Sequence, residues 1–117
     1  KISPAFNLPA KYVIHTVGPV WKGGNHIEAK LLEDCYANSL LLALEYHCES
    51  ISFPNISTGV FGFPKDAAAQ IAINTVFAFL KLHNAPKEVI FVCFDLENEK
   101  IYKQLLLGYL SSHLPLN

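Results

Sequence analysis

The sequence predicts an α/β domain with a mostly parallel sheet. Three short apolar runs of strand length alternate with three longer segments whose apolar residues recur at helical spacing. Strands that alternate with helices along a chain form parallel sheets through right-handed crossovers. The chain has 117 residues, 51% of them hydrophobic, which predicts a single domain over residues 1–117.

The first strand and the first helix are predicted in the amino-terminal half. Residues 1–11 contain two prolines and are predicted to be an extended lead-in. The β-branched and aromatic run at 12–17 predicts a strand. Asn25, with Glu28 three residues later, predicts a capping box that starts a helix over about 26–47. Glu28 and the other polar residues of this helix are expected to face water.

The second half of the chain continues the alternation. Residues 51–54 predict a strand, and 64–82 predict a helix so apolar that it must be covered on more than one side. The run at 89–94 is apolar without alternation, which is typical of an interior parallel strand. A final helix over 96–110 follows, with Asp95 as its cap.

Composition argues against several classes of function. The net charge is −1 without a basic patch, so the sequence predicts no binding to a nucleic-acid duplex. No apolar run approaches the ~18 residues of a membrane span, so no membrane partner is expected. The three cysteines form no CxxC or Cys/His cluster, which predicts no metal site and reduced thiols. We expect no cofactor and a cytoplasmic location, with the nucleus as the alternative.

The loop between the second strand and the second helix is the strongest candidate site. It contains Gly59 and Gly62, both of which permit positive φ and close approach of a ligand to the main chain. Pro64 suits the first position of the helix that follows. The free N–H groups at a helix N-terminus, together with a dipole of about half a positive charge, bind anions. The alternative is that this segment is an ordinary connection between strand and helix without a ligand.

Four segments resemble one known family. Residues 56–64, Ile-Ser-Thr-Gly-Val-Phe-Gly-Phe-Pro, resemble the second phosphate-binding loop of macrodomains, which bind ADP-ribose. Residues 7–19 resemble the family's Asn-Leu-Pro-Ala-Lys-Tyr-Val-Ile-His-Thr-Val-Gly-Pro strand, and 33–42 resemble the helix after it. Residues 89–98 resemble the last strand and its exit. The resemblance keeps one register from residue 1 to about 110 and is to macrodomains of the Appr-1''-p processing type.

The resemblance implies a macrodomain-like three-layer α/β/α sandwich and a set of ADP-ribose contacts. Main-chain N–H groups of 57–61 would hold the diphosphate, Phe61 would lie against the distal ribose, and Phe94 would stack on adenine. Core packing is the alternative for Phe94, and for Asn98 we favour a place in the first helical turn over a ribose contact. The implied ligand-binding residues are Ser57, Thr58, Gly59, Val60, Phe61, Gly62 and Phe94.

The resemblance also implies that macrodomains carry further chain before the position of Lys1. That chain supplies two strands, an asparagine segment and a first glycine-rich loop that positions the catalytic water. None of these motifs occurs here, so the sequence resembles the C-terminal two-thirds of the family fold and no catalytic residue is predicted. The strand pair at 13–17 and 51–54 would then lack the strand between them. We expect direct pairing, a homodimer that completes the sheet, or a natural protein that carries the further segment.

Three functions are consistent with this sequence. The first is binding of ADP-ribose or ADP-ribosylated protein through residues 56–63. The second is hydrolysis of ADP-ribosyl esters such as O-acetyl-ADP-ribose by a complete form of the protein. The third is a fragment that binds nothing and oligomerises. His15 lies mid-strand without a neighbouring nucleophile, so a structural role is favoured for it.

Overall fold

The computed structural model describes residues 2–4, 10–25 and 27–113. Along them the chain forms β1 (Ile2–Pro4), β2 (Tyr12–Ile14), α1 (Glu28–Glu45), β3 (Ser50–Phe53), α2 (Lys65–His83), β4 (Glu88–Phe91) and α3 (Leu96–His113). From β2 onward, strands and helices alternate as predicted, and the α/β class is confirmed.

The described strands form two separate two-stranded sheets. β1 and β2 pair antiparallel, with Ile2 opposite Ile14, whereas β3 and β4 pair parallel, with Ser50 opposite Glu88. The strand β1 was not predicted, because three residues ending in a proline carry too little pattern. The predicted strand at 12–17 was too long, since it ends at Ile14 and the side chain of Val17 is 82% exposed.

β2 and β3 do not pair with each other in the described part of the chain. Direct pairing of these two strands, one of the three expected outcomes, therefore does not occur. Each strand keeps a row of main-chain groups that no described strand satisfies. Such edges favour pairing with another segment or another chain.

The core lies between the three helices and one face of the β3–β4 pair. α2 packs against both α1 and α3, which confirms that its apolar surface is covered on more than one side. Small residues let the neighbouring helices come close, and large ones fill the space between them. The core residues at 0–2% exposure include Leu32, Tyr36, Leu40, Phe63, Ala68, Ala69, Ala72, Ile73 and Val76.

β4 differs from the predicted interior strand. Its residues alternate between half-buried and exposed, and the side chain of Ile90 is 42% exposed. Among the described strands β4 pairs with β3 alone. The helices cover the face that carries Phe53 and Phe91, and the opposite face remains open. An apolar run indicates apolar surroundings on both faces, but the described helices supply them on one face only.

The predicted capping box at the start of α1 is wrong. Ile27 precedes the helix in a left-handed conformation and no side chain caps the first turn. Glu28 is 2% exposed, so the prediction that it faces water is also wrong. Its Oε2 atom accepts hydrogen bonds from the main-chain N–H groups of Lys22, at 2.8 Å, and Gly24, at 2.9 Å. The tight turn before the helix presents donors that need an acceptor, and the buried carboxylate supplies it.

Truncation of a core leucine tests this packing. Leu40 in α1 is fully buried, so Leu40→Ala should lower the free energy of unfolding by about 2–5 kcal/mol through lost burial and a residual cavity. Leu107→Ala is the matched control, because Leu107 is 65% exposed, and its change should stay within about 0.5 kcal/mol. Urea unfolding followed by circular dichroism measures both. Equal losses for the two variants would contradict the described core.

Candidate functional site

The loop between β3 and α2 is closed by its own hydrogen bonds. The Phe63 N–H donates to the Ser57 carbonyl at 2.9 Å, and the Gly62 N–H donates to the Gly59 carbonyl at 3.0 Å. The hydroxyl of Thr58 donates to the Asn55 carbonyl at 3.1 Å. Pro64 then precedes α2 with a φ of −55°, as a cap rather than as the predicted first helical residue.

Four main-chain donors between residues 57 and 61 have no acceptor within the described part of the chain. The N–H groups of residues 57 and 59–61 have no acceptor among the described residues. They stand immediately before the 19-residue helix α2, whose N-terminus adds a partial positive charge. The side chain of Val60 is fully exposed, so this part of the loop is open to solvent. An anion could therefore reach several donors at once.

The backbone conformations of the loop differ in part from the prediction. Gly62 has a φ of +73°, as expected for a glycine, but the second left-handed residue is Ser57, at +67°, and not Gly59. The role of Gly59 is to leave space beside the main chain, because it has no side chain. A Cβ atom built on it meets no protein atom within 4 Å, so the missing side chain opens the main chain toward solvent. Sequence alone gives no signal for a serine in this conformation.

Phe94 follows β4, and its ring is 82% exposed, so the core alternative for this residue is wrong. Asp95 caps α3 as predicted. Its Oδ1 atom accepts from the Asn98 N–H at 2.7 Å and its Oδ2 atom from the Asn98 side chain at 3.0 Å. These two bonds hold the pKa of the Asp95 carboxyl below its ordinary value of 3.8, with a smaller contribution from Lys65. Asn98 is 1% exposed in the first helical turn, the place favoured for it.

Three side-chain contacts connect the loop and the first turn of α2 with the exit of β4. The Lys65 ammonium, in the first turn of α2, lies 3.1 Å from Glu97 Oε2 and 3.5 Å from Asp95 Oδ1. The hydrogen bond that the Lys65 ammonium donates to Glu97 is the main cause of the raised pKa of Lys65. At the base of the loop, the Asn55 side chain donates to Cys93 Sγ at 3.6 Å. The free donors and the Phe94 ring therefore open at the same edge of the β3–β4 pair.

A buried tyrosine supports the base of the loop. The Tyr36 hydroxyl, on α1, donates to the Pro54 carbonyl at 3.4 Å, and its ring lies 4.9 Å from that of Phe53. Burial raises the pKa of this phenol, which keeps the hydroxyl protonated and able to donate. The sequence pattern does not point to Tyr36, Asn55 or Lys65 as residues of the site. Each acts on a partner at least 18 positions away, which spacing does not reveal.

No group of three or more His, Cys, Asp or Glu in the described ranges could hold a metal ion. Within those ranges no helix combines the length and hydrophobicity needed to cross a membrane. All three cysteines are free thiols. A groove of about 250 Å³ between α1 and α2, lined by Glu33, Ile71, Asn74, Thr75 and Ala78, lies at mid-helix and not at the loop.

Comparison with known proteins decides the family. The family model described as Macro domain matches residues 1–72. The chain belongs to the macrodomain family. That match includes the whole loop between β3 and α2 and its entry into the helix.

Curated relatives extend this macrodomain assignment over most of the chain. An O-acetyl-ADP-ribose deacetylase of Citrobacter koseri is 57% identical over 105 residues, which cover 90% of this chain and 59% of the relative. A macro domain-containing protein of Chlorobaculum tepidum is 53% identical over 106 residues, 91% of this chain and 62% of the relative. The chain thus spans about three-fifths of the length of these relatives.

Solved structures agree with the macrodomain fold. The Oceanobacillus iheyensis macrodomain with ADP superposes with a TM-score of 0.89 at 39% identity, over 96% of this chain and 58% of that one. The Trypanosoma brucei macrodomain in complex with ADP-ribose superposes with a TM-score of 0.83 at 36% identity, over 91% of this chain and 44% of that one.

The Asp95 cap predicts a specific dependence of stability on pH. Because the folded pKa lies below 3.8, the carboxylate contributes stability that is present above this value and lost as the pH falls through the lower folded value. Asp95→Asn keeps a capping side chain but cannot titrate. Thermal unfolding should therefore show the parent more stable than the variant at pH 6, with the difference shrinking toward pH 3. A difference that stays constant over this range would contradict the role of the carboxylate.

Proposed function

We propose that this macrodomain binds ADP-ribose, free or attached to a protein, through residues 56–63 and Phe94. One observation carries the proposal: a row of free main-chain N–H groups lies at the same edge as an exposed aromatic ring. The first feature suits a diphosphate and the second suits a nucleobase. Macrodomains of similar structure bound to ADP and ADP-ribose support the proposal.

The diphosphate is assigned to the loop. Its oxygens would accept from the N–H groups of residues 57 and 59–61, which have no other acceptor in the described chain. Hydrogen bonds to a charged group contribute about 1.5–3 kcal/mol each. The open space in front of Gly59 lets the phosphate oxygens come within hydrogen-bonding distance of the main chain. The α2 dipole favours the same charge.

The adenine is assigned to Phe94. Its ring packs against no other aromatic ring among the described residues, so one face is available to a base. Stacking of a base on an aromatic side chain contributes about 1–3 kcal/mol. At the other end of the loop, Phe61 is 38% exposed and Val60 fully exposed, so a protein attached to the distal ribose would extend into solvent. This geometry favours ADP-ribosylated protein as a partner.

Two further elements belong to the proposal. The unpaired edges of β2 and β3 suit a second copy of the chain, so we propose a homodimer as one way to complete the sheet. Light scattering of the purified chain tests this, and a monomeric mass at micromolar concentration would contradict it. The three free thiols fit a reducing compartment, so we propose the cytoplasm as its location.

The second candidate function is hydrolysis of ADP-ribosyl esters. It is favoured by the relatives named O-acetyl-ADP-ribose deacetylase. No described side chain is assigned a catalytic role, so we expect this chain to bind ADP-ribose without turning over the ester. Incubation with O-acetyl-ADP-ribose and chromatography of the products separates the two functions. Release of acetate would establish the enzyme.

The first test of the site is Gly59→Val. The side chain has room in the free protein, because no protein atom lies within 4 Å of the new Cβ, but it would occupy the space assigned to the diphosphate. Calorimetry with ADP-ribose should show an affinity at least about tenfold lower, which corresponds to ~1.4 kcal/mol. Gly108→Val is the matched control, since Gly108 in α3 is equally open, and it should bind like the parent. Equal binding by both variants would place the diphosphate elsewhere.

The second test is Phe94→Ala. Loss of the stacked ring should weaken the binding of ADP-ribose by about tenfold, in the lower part of the range for base stacking, and leave the binding of ribose 5-phosphate unchanged. Leu107→Ala removes another exposed apolar side chain, far along α3, and serves as the control. An equal loss for both ligands would show that Phe94 supports the loop and does not contact adenine.

A further inference from the structure

We propose that residues 17–21, here called the supporting segment, position the anion-binding loop, and that Gly18 is the positioning residue. The proposal rests on the proposed function, because it explains how that loop is held ready for a diphosphate. The supporting segment leaves β2 and crosses to α1. It contacts the loop near residues 56–57 and again at residues 61 and 63, and it supplies no described acceptor to the N–H groups of residues 57 and 59–61.

Gly18 lies directly against the start of the loop. A Cβ atom built on Gly18 would lie 2.5 Å from Ile56 Cγ2 and still closer to Ser57 Oγ. Side chains essentially never approach a Cβ atom closer than 3.0 Å. Gly18 does not have a left-handed φ, so its need for glycine comes from this close approach and not from its own conformation.

Trp21 holds the far end of the loop. Its main-chain N–H donates to the Phe61 carbonyl at 2.8 Å. Its ring lies 4.8 Å from that of Phe63, which is 2% exposed in the core. The bond turns the Phe61 carbonyl toward the supporting segment. The donors of residues 59–61 remain without a described acceptor.

The loop needs such support because its conformation is not locally favourable. Ser57 is a non-glycine residue at a φ of +67°, and its buried hydroxyl has no hydrogen-bond partner among the described atoms. Residues held in sparsely populated conformations persist only where the surroundings fix them. The supporting segment is itself held by α1, because the Cys35 thiol on that helix donates a hydrogen bond to the Val17 carbonyl at 3.4 Å. The chain of contacts therefore runs from α1 through Val17 and Gly18 to Ser57.

The decisive experiment compares Gly18→Ala with Gly108→Ala, a glycine substitution in open space on α3. Gly18→Ala should displace Ile56 and Ser57 and lower the affinity for ADP-ribose in calorimetry by about tenfold, as expected when a site is misplaced by a fraction of an ångström. Gly108→Ala should bind like the parent. Amide hydrogen exchange, read by NMR, should show faster exchange of the Trp21 N–H in Gly18→Ala only.

Rescue separates positioning from general stability. Adding Ser57→Gly removes the hydroxyl that the new Cβ meets, relieves the left-handed serine and keeps the main-chain donor. The double variant Gly18→Ala/Ser57→Gly should recover at least about a third of the lost affinity, a larger gain than Ser57→Gly gives in the parent, because only Gly18→Ala creates the contact with the serine hydroxyl. A double variant as weak as Gly18→Ala alone would overturn the proposed contact.

The exchange measurement also distinguishes failure of this inference from failure of the proposed function. If the parent binds no ADP-ribose, the proposed function fails, and altered amide signals of Trp21 and residues 57–62 in Gly18→Ala still support the positioning role. If Gly18→Ala binds ADP-ribose like the parent and its Trp21 amide exchanges like that of the parent, the positioning role is overturned. If Gly18→Ala does not fold, Trp21 exchange in the parent decides the question: a protected amide supports the bond to Phe61, and an unprotected one overturns it.

Discussion

The packing of α2 between α1 and α3 is the constraint on which the rest of the described structure depends. The small side chains Ala68, Ala69 and Ala72 are buried, so the neighbouring helices can approach closely while Ile73 and Val76 fill the space between them. Because α2 is fixed along its length, its N-terminus is fixed as well. The loop of residues 54–64 therefore ends at a rigid point, which is what an anion site made of main-chain donors requires.

The candidate site is assembled from two chain segments that the β3–β4 pairing brings side by side. Parallel pairing puts the exits of both strands at one edge, and a helix follows each exit, after residues 54–64 in one case and after residues 92–95 in the other. The Lys65 ammonium then joins the first turns of α2 and α3 through Asp95 and Glu97. Exposed ion pairs of this kind contribute little to stability. They lie where the first turn of α2 meets the exit of β4, beside Phe94 in the chain.

Because the chain belongs to the macrodomain family, this edge of the β3–β4 pair is the candidate site. The relatives and solved structures match nine-tenths or more of this chain, yet the chain spans only about three-fifths of the curated relatives. The described part contains four main-chain N–H groups, at residues 57 and 59–61, that have no described acceptor, and an exposed aromatic ring at Phe94. It also leaves the edges of β2 and β3 and one face of β4 uncovered. Ligand binding and assembly with another chain should therefore be measured together for this protein.

The sequence by itself determined the α/β class, the order of the elements from β2 onward, the loop before α2 and the Asp95 cap, because these depend on periodicity and on residues a few positions apart. Tertiary structure decided the rest. Glu28 is buried by a turn that needs its carboxylate, Phe94 is exposed although it continues an apolar run, and Ser57 takes a conformation that suits glycine. Gly18 and Trp21 meet the loop about 40 positions further along the chain. Local pattern cannot report contacts that form only when distant segments pack together.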